Sequence, residues 1–593
     1  MAHALCVVMV LLLLSTSCEQ RPVGPEPKEA GGKWEQDWWR CFYWDVWAVS
    51  PEEFFIPSVQ RVTGLVHYVD SAWQANPVTV GSVEYNISVI WGRSAADIYA
   101  ITWENMLIHY DGAAWTLDVL DVRAGESLRG IWGDARDHVF VVGDRIVHHF
   151  DGASWSRTEI PGVGFRAVWG TSASDVYAVG YGVYHFDGTA WTRMNGTEEL
   201  NLNAVWGSAP DDIYALGTVF SPRVREQVVH FDGNTWQTVF EYADGVLVDI
   251  WVSEKGAVIC AGSRDTESTR LAAVLYYDGS TWETIEIGKF GILENISGTG
   301  DGGAIVIGAE NVVVYFKEGS WELIHPGSWT DLNAVWGSAP DEILMAADGG
   351  FVFRNEGGSL WPEKLPFAGG HVNGLWGFSR DDVFAVGTAG RIARFDGSAW
   401  RPMASGVSTE LFDVWGSGPS DVYAVGEDYT ILHYDGAAWS PVDFQADFIP
   451  WHIWGSASDD VFIVGENGSI VHFDGRAWRK MKSGTTSWLW DIWGSPGEGV
   501  LIVGAEGTIR YYDGDSWRPM YGAGLSTLTA VWGTSFDNMY AAGIEGRIYR
   551  FDGTLWAPVY YDERVNFWGM WGSSPSNITV VGDWGAIVRY AGE

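Results

Sequence analysis

Cysteine is scarce in this chain of 593 residues, which holds only Cys6, Cys18, Cys41 and Cys260. Two of the four precede residue 20, and one distant pair is no disulfide framework for stapling a small loop-rich fold. Cys260 lies in a strand-like piece, where a buried thiol is the ordinary state. Positive charge is short as well. The 36 Lys and Arg face 76 Asp and Glu, a formal net charge of -40. That field argues against nucleic acid or an anionic membrane as the partner of the whole molecule. After Leu14 there is no apolar run long enough to span a bilayer. Zinc-protease helix motifs and P-loops are missing too. Gly298-Thr299-Gly300-Asp301-Gly302-Gly303 has the spacing of a dinucleotide loop, but it joins two strand-like pieces and opens no helix, so that reading fails.

What the chain has in abundance is one repeated sentence. A clear copy reads Val414-Trp415-Gly416, Asp421-Val422-Tyr423-Ala424-Val425-Gly426, Ile431-Leu432-His433-Tyr434-Asp435-Gly436 and Trp439, and the Trp-Gly pair returns at Trp454, Trp493, Trp532 and Trp571 in steps of 39 residues. Fourteen such copies, each of four short strand-like pieces separated by turn residues, are the signature of β-propeller blades. The Asp-Gly pair before the last piece tolerates the positive φ of a tight hairpin. Of the 37 Trp, thirteen occupy the Trp-Gly position and thirteen the position that follows the Asp-Gly turn. Most indoles are therefore spent on packing between blades.

The N-terminus reads differently. Val7 to Leu14 is a short apolar run followed by Ser15-Thr16-Ser17 and Cys18. It resembles a bacterial lipoprotein signal, which implies lipidation of Cys18; an ordinary cleaved secretory signal is the alternative. Residues 19–32 carry Pro22, Pro25, Pro27, several charges and Gly31-Gly32, and read as a flexible tether. The expected fold is all-β: two consecutive seven-bladed propellers at residues 33–318 and 319–593, each closed by an N-terminal outer strand. Trp34 is expected to begin the strand that closes the first ring beside Tyr315-Phe316, and Trp321 the strand that closes the second ring against the C-terminal three. A single ring of fourteen blades is the alternative.

The pattern Gly-x-x-Gly-x-Ile-x-x-Phe/Tyr-Asp-Gly-x-x-Trp resembles the Asp-box propellers, a group that includes sialidases and photosystem assembly factors, and also tectonin-type lectin propellers. More specifically, Val-Trp-Gly-Ser-x-x-x-Asp-Val-Tyr-Ala-Val-Gly is similar to repeats of bacterial secreted proteins. The resemblance implies a propeller and leaves catalysis open. The Arg-Ile-Pro-type segment of a sialidase is missing, while paired carboxylates of a glycosidase type are not excluded by so acidic a chain.

His67, His109, His149, His185, His230, His433 and His472 look like metal ligands in series. They all hold one third-strand position, so successive blades fan them apart, and no metal or cofactor is expected. The position three before Trp-Gly varies most. In the second ring it reads Asn333, Asn373, Phe412, Trp451, Trp490, Thr529 and Trp568. The loops between second and third strands add Glu427, Asp428, Glu466, Asn467, Glu506, Glu545, Asp583 and Trp584. Aromatics beside carboxylates and amides on the face around the channel mouth suit a sugar ring or a cation. In the first ring Arg129, Arg166, Arg223, Arg225, Arg264 and Arg270 fall on the corresponding face, an expected anion-accepting patch. Three readings follow: an envelope-anchored binding module for glycan or protein, an assembly or scaffold factor, and a glycan hydrolase or lyase.

Overall fold

The computed structural model describes residues 32–36, 42–43 and 45–592, apart from short stretches at 60–63, 71, 135–137, 221–224, 267–269, 289–291, 327–329, 357–358, 368–369, 445, 496 and 522–525. Cys18, Cys41, the expected signal and most of the expected tether lie outside the described residues. Fourteen consecutive antiparallel sheets form two seven-bladed propellers, and the described residues hold no helix longer than a single 3-10 turn.

A blade of the second ring shows the plan. From the inside outward it runs Leu411–Gly418, Asp421–Gly426, Thr430–Tyr434 and Trp439–Pro441. The second strand is buried from Val422 through Gly426. A strand covered by a neighbouring blade on each face needs an unbroken apolar run, which explains Val-Tyr-Ala-Val-Gly. At its start, Asp421 accepts hydrogen bonds from Ser417 and His433, the latter at 2.7 Å, and the imidazole stacks on Tyr423. The same carboxylate–imidazole bond recurs at Asp97–His109, Asp175–His185, Asp212–His230 and Asp460–His472. Each of these histidines is thus committed to its own blade. In the third blade of the first ring the Asp is replaced by His138, which meets His149 at 3.0 Å.

Trp and Gly recur together because they lock neighbouring blades. In most blades the indole lies over the glycine of the next blade's pair; at Gly416 the ring met is Phe378, and beyond Trp206 the glycine is replaced by Val252. A Cβ on Gly572 would fall 2.6 Å from Trp532, and one on Gly337 would fall 2.7 Å from Trp571, the contact that joins the last blade of the second ring to its first. An indole buried this way removes on the order of 150–250 Å² from water, provided its neighbour carries no side chain. The first ring closes by another bond. Ser297 stands where the repeat would have Trp, and its hydroxyl accepts from the Ala48 amide at 2.9 Å.

The two turn motifs divide the labour. In Asp-Gly-x-x-Trp, Asp435 Oδ1 accepts the amides of Ala437 and Ala438 while Gly436 takes φ 93. These backbone donors hold the Asp435 carboxyl below its usual range. The two-residue type I′ turn lies instead at Gly-x-x-Gly, where Asn467 has φ 57 and ψ 29 and Gly468 has φ 68.

The strand exchange differs from the sequence expectation. Trp321 pairs with Phe316 in its own hairpin, so Ser320–Pro326 closes the seventh blade of the first ring. The strand Gly32–Gln36 lies antiparallel to Ile587–Gly592, with Trp34 opposite Tyr590, and supplies the outer strand of the last blade. Only the second ring is closed by the N-terminus. Its compact unit comprises residues 330–593 with that strand, and the other unit comprises residues 39–329.

Candidate functional site

In all seven blades of the second ring the inner strand carries a bulge at one place, and the bulged residues are Asn333, Asn373, Phe412, Trp451, Trp490, Thr529 and Trp568. A bulged residue has no partner in the ladder and its side chain is re-aimed. The sheet therefore tolerates any side chain here, which is why this position varies from repeat to repeat.

Three of the seven fasten neighbouring blades. Asn333 donates to Asp348 and to the Val372 carbonyl, each at 3.0 Å, Asn373 donates to Glu410 and the Leu411 carbonyl, each at 2.9 Å, and Thr529 donates to the Phe567 carbonyl. Trp568 spends its indole N–H on Asp583. The remaining three converge. Phe412 stacks on Trp451 with centroids 4.4 Å apart, and Trp451 meets Trp490 at 5.0 Å. Trp488 completes the group at 6.0 Å from Trp451 and 5.6 Å from Trp490, with 41% of its surface exposed. Trp488 belongs to neither repeated tryptophan position, and that irregularity is the sequence signal that could have found it. The buried Trp451 Nε1 has no hydrogen-bond partner.

Beside the cluster lies an ionic bridge that sequence reasoning missed. His452 Nδ1 is 3.1 Å from Asp413 and 3.1 Å from Asp491, carboxylates on the two flanking blades. Burial opposes the imidazolium, but the two carboxylates outweigh it and hold His452 well above its ordinary value. Of the side chain 37% still meets solvent, as suits a group on an inner strand lining the central axis. Asp413 and Asp491 also accept the amides of Ile453 and Val531, at 2.9 and 2.7 Å, so the bridge ties four successive inner strands.

The loop residues spread around the rim. Glu427 and Asp428 are exposed beside Tyr429, itself 52% exposed. Glu466 accepts the Ile449 amide at 3.3 Å, Glu506 lies 3.4 Å from the Ser487 hydroxyl, and Glu545 pairs with Arg547 at 3.3 Å. Trp584 is 54% exposed, with its backbone amide on Asp331 at 2.7 Å. It belongs to the seventh blade, whereas the aromatic cluster spans the third to fifth.

The first ring's arginines are largely engaged with acids. Arg129 pairs with Asp144, Arg225 with Glu241, Arg264 with Glu286 and Arg270 with Asp265, at 2.6 to 3.2 Å. Arg166 donates to Asn203 and lies over Tyr181, and Arg223 is outside the described residues. Carboxylate partners neutralise four of the guanidiniums where a free anion site was expected. Cys260 is a free, buried thiol whose pKa burial pushes up.

No protein-family model matches this chain, and no curated protein sequence matches it. Solved structures share the architecture at low identity. YCF48 bound to D1 peptide is 16% identical with a TM-score of 0.40, covering 45% of this chain and 95% of that one. The extracellular domain of a one-component system from B. thetaiotaomicron is 9% identical with a TM-score of 0.37, covering 94% and 82%. A GH74 xyloglucanase from Xanthomonas campestris is 12% identical with a TM-score of 0.41, covering 95% and 100%. None of these likenesses is close enough to carry an activity across.

Proposed function

We propose that this chain is an exported binding protein, tethered through Cys18, whose second propeller takes up a glycan on its loop face without turning it over. The observation that carries the reading is the exposed Trp488 on the self-packed cluster of Phe412, Trp451 and Trp490. A solvent-facing indole backed by other rings keeps a flat apolar surface at small conformational cost. Such a surface matches the C–H face of a pyranose, and the rim carboxylates, amides and hydroxyls suit its hydroxyl groups. The same cluster could seat an apolar protein side chain, so an envelope protein is the second ligand to try.

Titration of the full chain with a panel of soluble polysaccharides tests the reading. Binding that falls at least tenfold in Trp488→Ala, with an unchanged far-ultraviolet spectrum and urea midpoint, supports it. Release of reducing ends during incubation would replace it with a glycan hydrolase. Binding to no polysaccharide, together with recovery of a defined envelope complex, would move the reading to a scaffold. Incorporation of labelled palmitate, lost in Cys18→Ser, tests the tether separately.

A further inference from the structure

The second ring holds an open groove of about 690 Å³ on its fourth blade, lined by Asn467, Ser469, Lys480, Lys482, Ser483 and Thr485 among others. Its composition runs against the rest of the chain. Acids outnumber bases 76 to 36 overall, yet the lining contains two lysines and not one carboxylate. The lysines sit on the outer strand Trp478–Lys482, and the hydroxyl-bearing loop that follows leads directly to Trp488. Thr486, also in the lining, is two residues from that exposed indole.

The positive charge that stays unpaired is that of Lys482. Lys480 pairs with Asp447, which lies outside the lining. Lys482 makes no ion pair among the described residues and is exposed. Arg510 of the next blade, itself outside the lining, steadies the loop by donating to the Gly484 carbonyl at 2.8 Å. Ser483 is buried and fixes the loop by donating to the Thr485 carbonyl at 3.1 Å. A bound anion would meet the free ammonium of Lys482 and compete with Asp447 for that of Lys480, with no carboxylate in the lining itself.

Resting on the reading of the second propeller as a glycan-binding module, we infer that its ligand is an anionic polysaccharide. A carboxylate or sulfate of one sugar is held by Lys482 in the groove, with Lys480 shared between it and Asp447, and a neighbouring sugar lies on Trp488. An ammonium is a point charge without a bidentate fork, so it suits either acidic group, and hydroxyl and amide donors serve the sugar's own hydroxyls.

The test uses the full chain with dextran, dextran sulfate and alginate as probes, at 20 and 300 mM salt. The expected result is binding of alginate or dextran sulfate at least tenfold tighter than dextran, weakened by salt. In Lys480→Gln/Lys482→Gln that preference should collapse while any dextran binding is unchanged. Trp488→Ala should weaken binding of charged and neutral probes alike. Equal binding of dextran and the charged probes, or a charge preference that survives in the double variant, overturns the inference and leaves the glycan-binding reading standing. Failure of all three probes and of the wider panel removes both. Urea midpoints measured in parallel keep a folding defect from imitating lost affinity.

Discussion

A single carbon added to Gly377 would lie 2.6 Å from the indole of Trp336 in the preceding blade. Both residues recur around the ring, so this one distance expresses the rule that seats each blade on the next. Gly377→Ala must push aside a buried ring and should cost about 1–3 kcal/mol, the usual range for overpacking a core. Urea unfolding followed by tryptophan fluorescence measures the loss. Combining it with Trp336→Phe should recover part of the deficit relative to the two single changes added together. Strict additivity would mean that the residues do not act as a pair.

The pairing of Gly32–Gln36 with Ile587–Gly592 predicts a local effect of truncation. A chain beginning at residue 38 leaves the last strand as an unpaired edge. Amide exchange within residues 587–592 should accelerate by on the order of tenfold or more, while strands of the first ring keep their protection. Unchanged exchange at the C-terminal strand would contradict the register.

Burial pushes the Asp45 carboxyl up to about 7 and Asp249 up to about 6, although each accepts backbone amides. A carboxyl raised above its ordinary value near 4 favours the folded state when protonated. Its contribution is complete below that value and is lost as pH rises through about 6 to about 7. Glu226, pushed up to about 7 by burial, acts in the same direction. These carboxyls withdraw stability from the first ring as pH rises from about 4 to about 7, read as a falling urea midpoint. His325, pushed down to about 3 by its burial, opposes that fall up to its ordinary value near 6.5. Asp45→Asn should make that fall shallower, whatever it does to the midpoint at pH 5. An identical slope in the variant would show that Asp45 does not titrate in this window.

Ala389 occupies the first position of a type I′ turn with φ 57 and ψ 35. Alanine resists this left-handed conformation, and asparagine accepts it, as Asn467 does two blades further on. Ala389→Asn is expected to raise stability by about 0.5–1 kcal/mol, seen as a higher denaturant midpoint with unchanged slope. A decrease would mean that the methyl group packs against something that the turn geometry conceals.

The architecture was legible because every blade repeats the same physical solution. Indole over glycine, aspartate capping the turn amides and an apolar central strand each leave a mark at a fixed offset. Ring closure was not legible in the same way. Trp34 and Trp321 both begin acceptable outer strands, and pattern alone cannot say which inner strands they join. A local signal was present at Glu318-Gly319, with φ 49 and 77, the two-residue turn that keeps Trp321 beside Phe316. The site was half legible. Variation at Phe412, Trp451 and Trp490 marked the bulges and their convergence, but the same position in Asn333 and Asn373 proved to be a clasp between blades. His452 was overlooked because its partners, Asp413 and Asp491, lie 39 residues away on either side and meet it only once the ring has formed. The arginines of the first ring stood out as an array, whereas their acidic partners were scattered through a chain rich in acids.

The segment that completes the second ring is translated before the whole of the first, and its partner strand follows the whole of both rings' earlier blades. During synthesis that early ribbon has no mate for some 550 residues, whereas the first ring can assemble as soon as its own seventh blade emerges. A ribosome that stops short of Ile587 would release a product with one finished disc and one gaping sheet. Synthesis through Gly592 is thus written into the geometry as a condition for sealing the second disc.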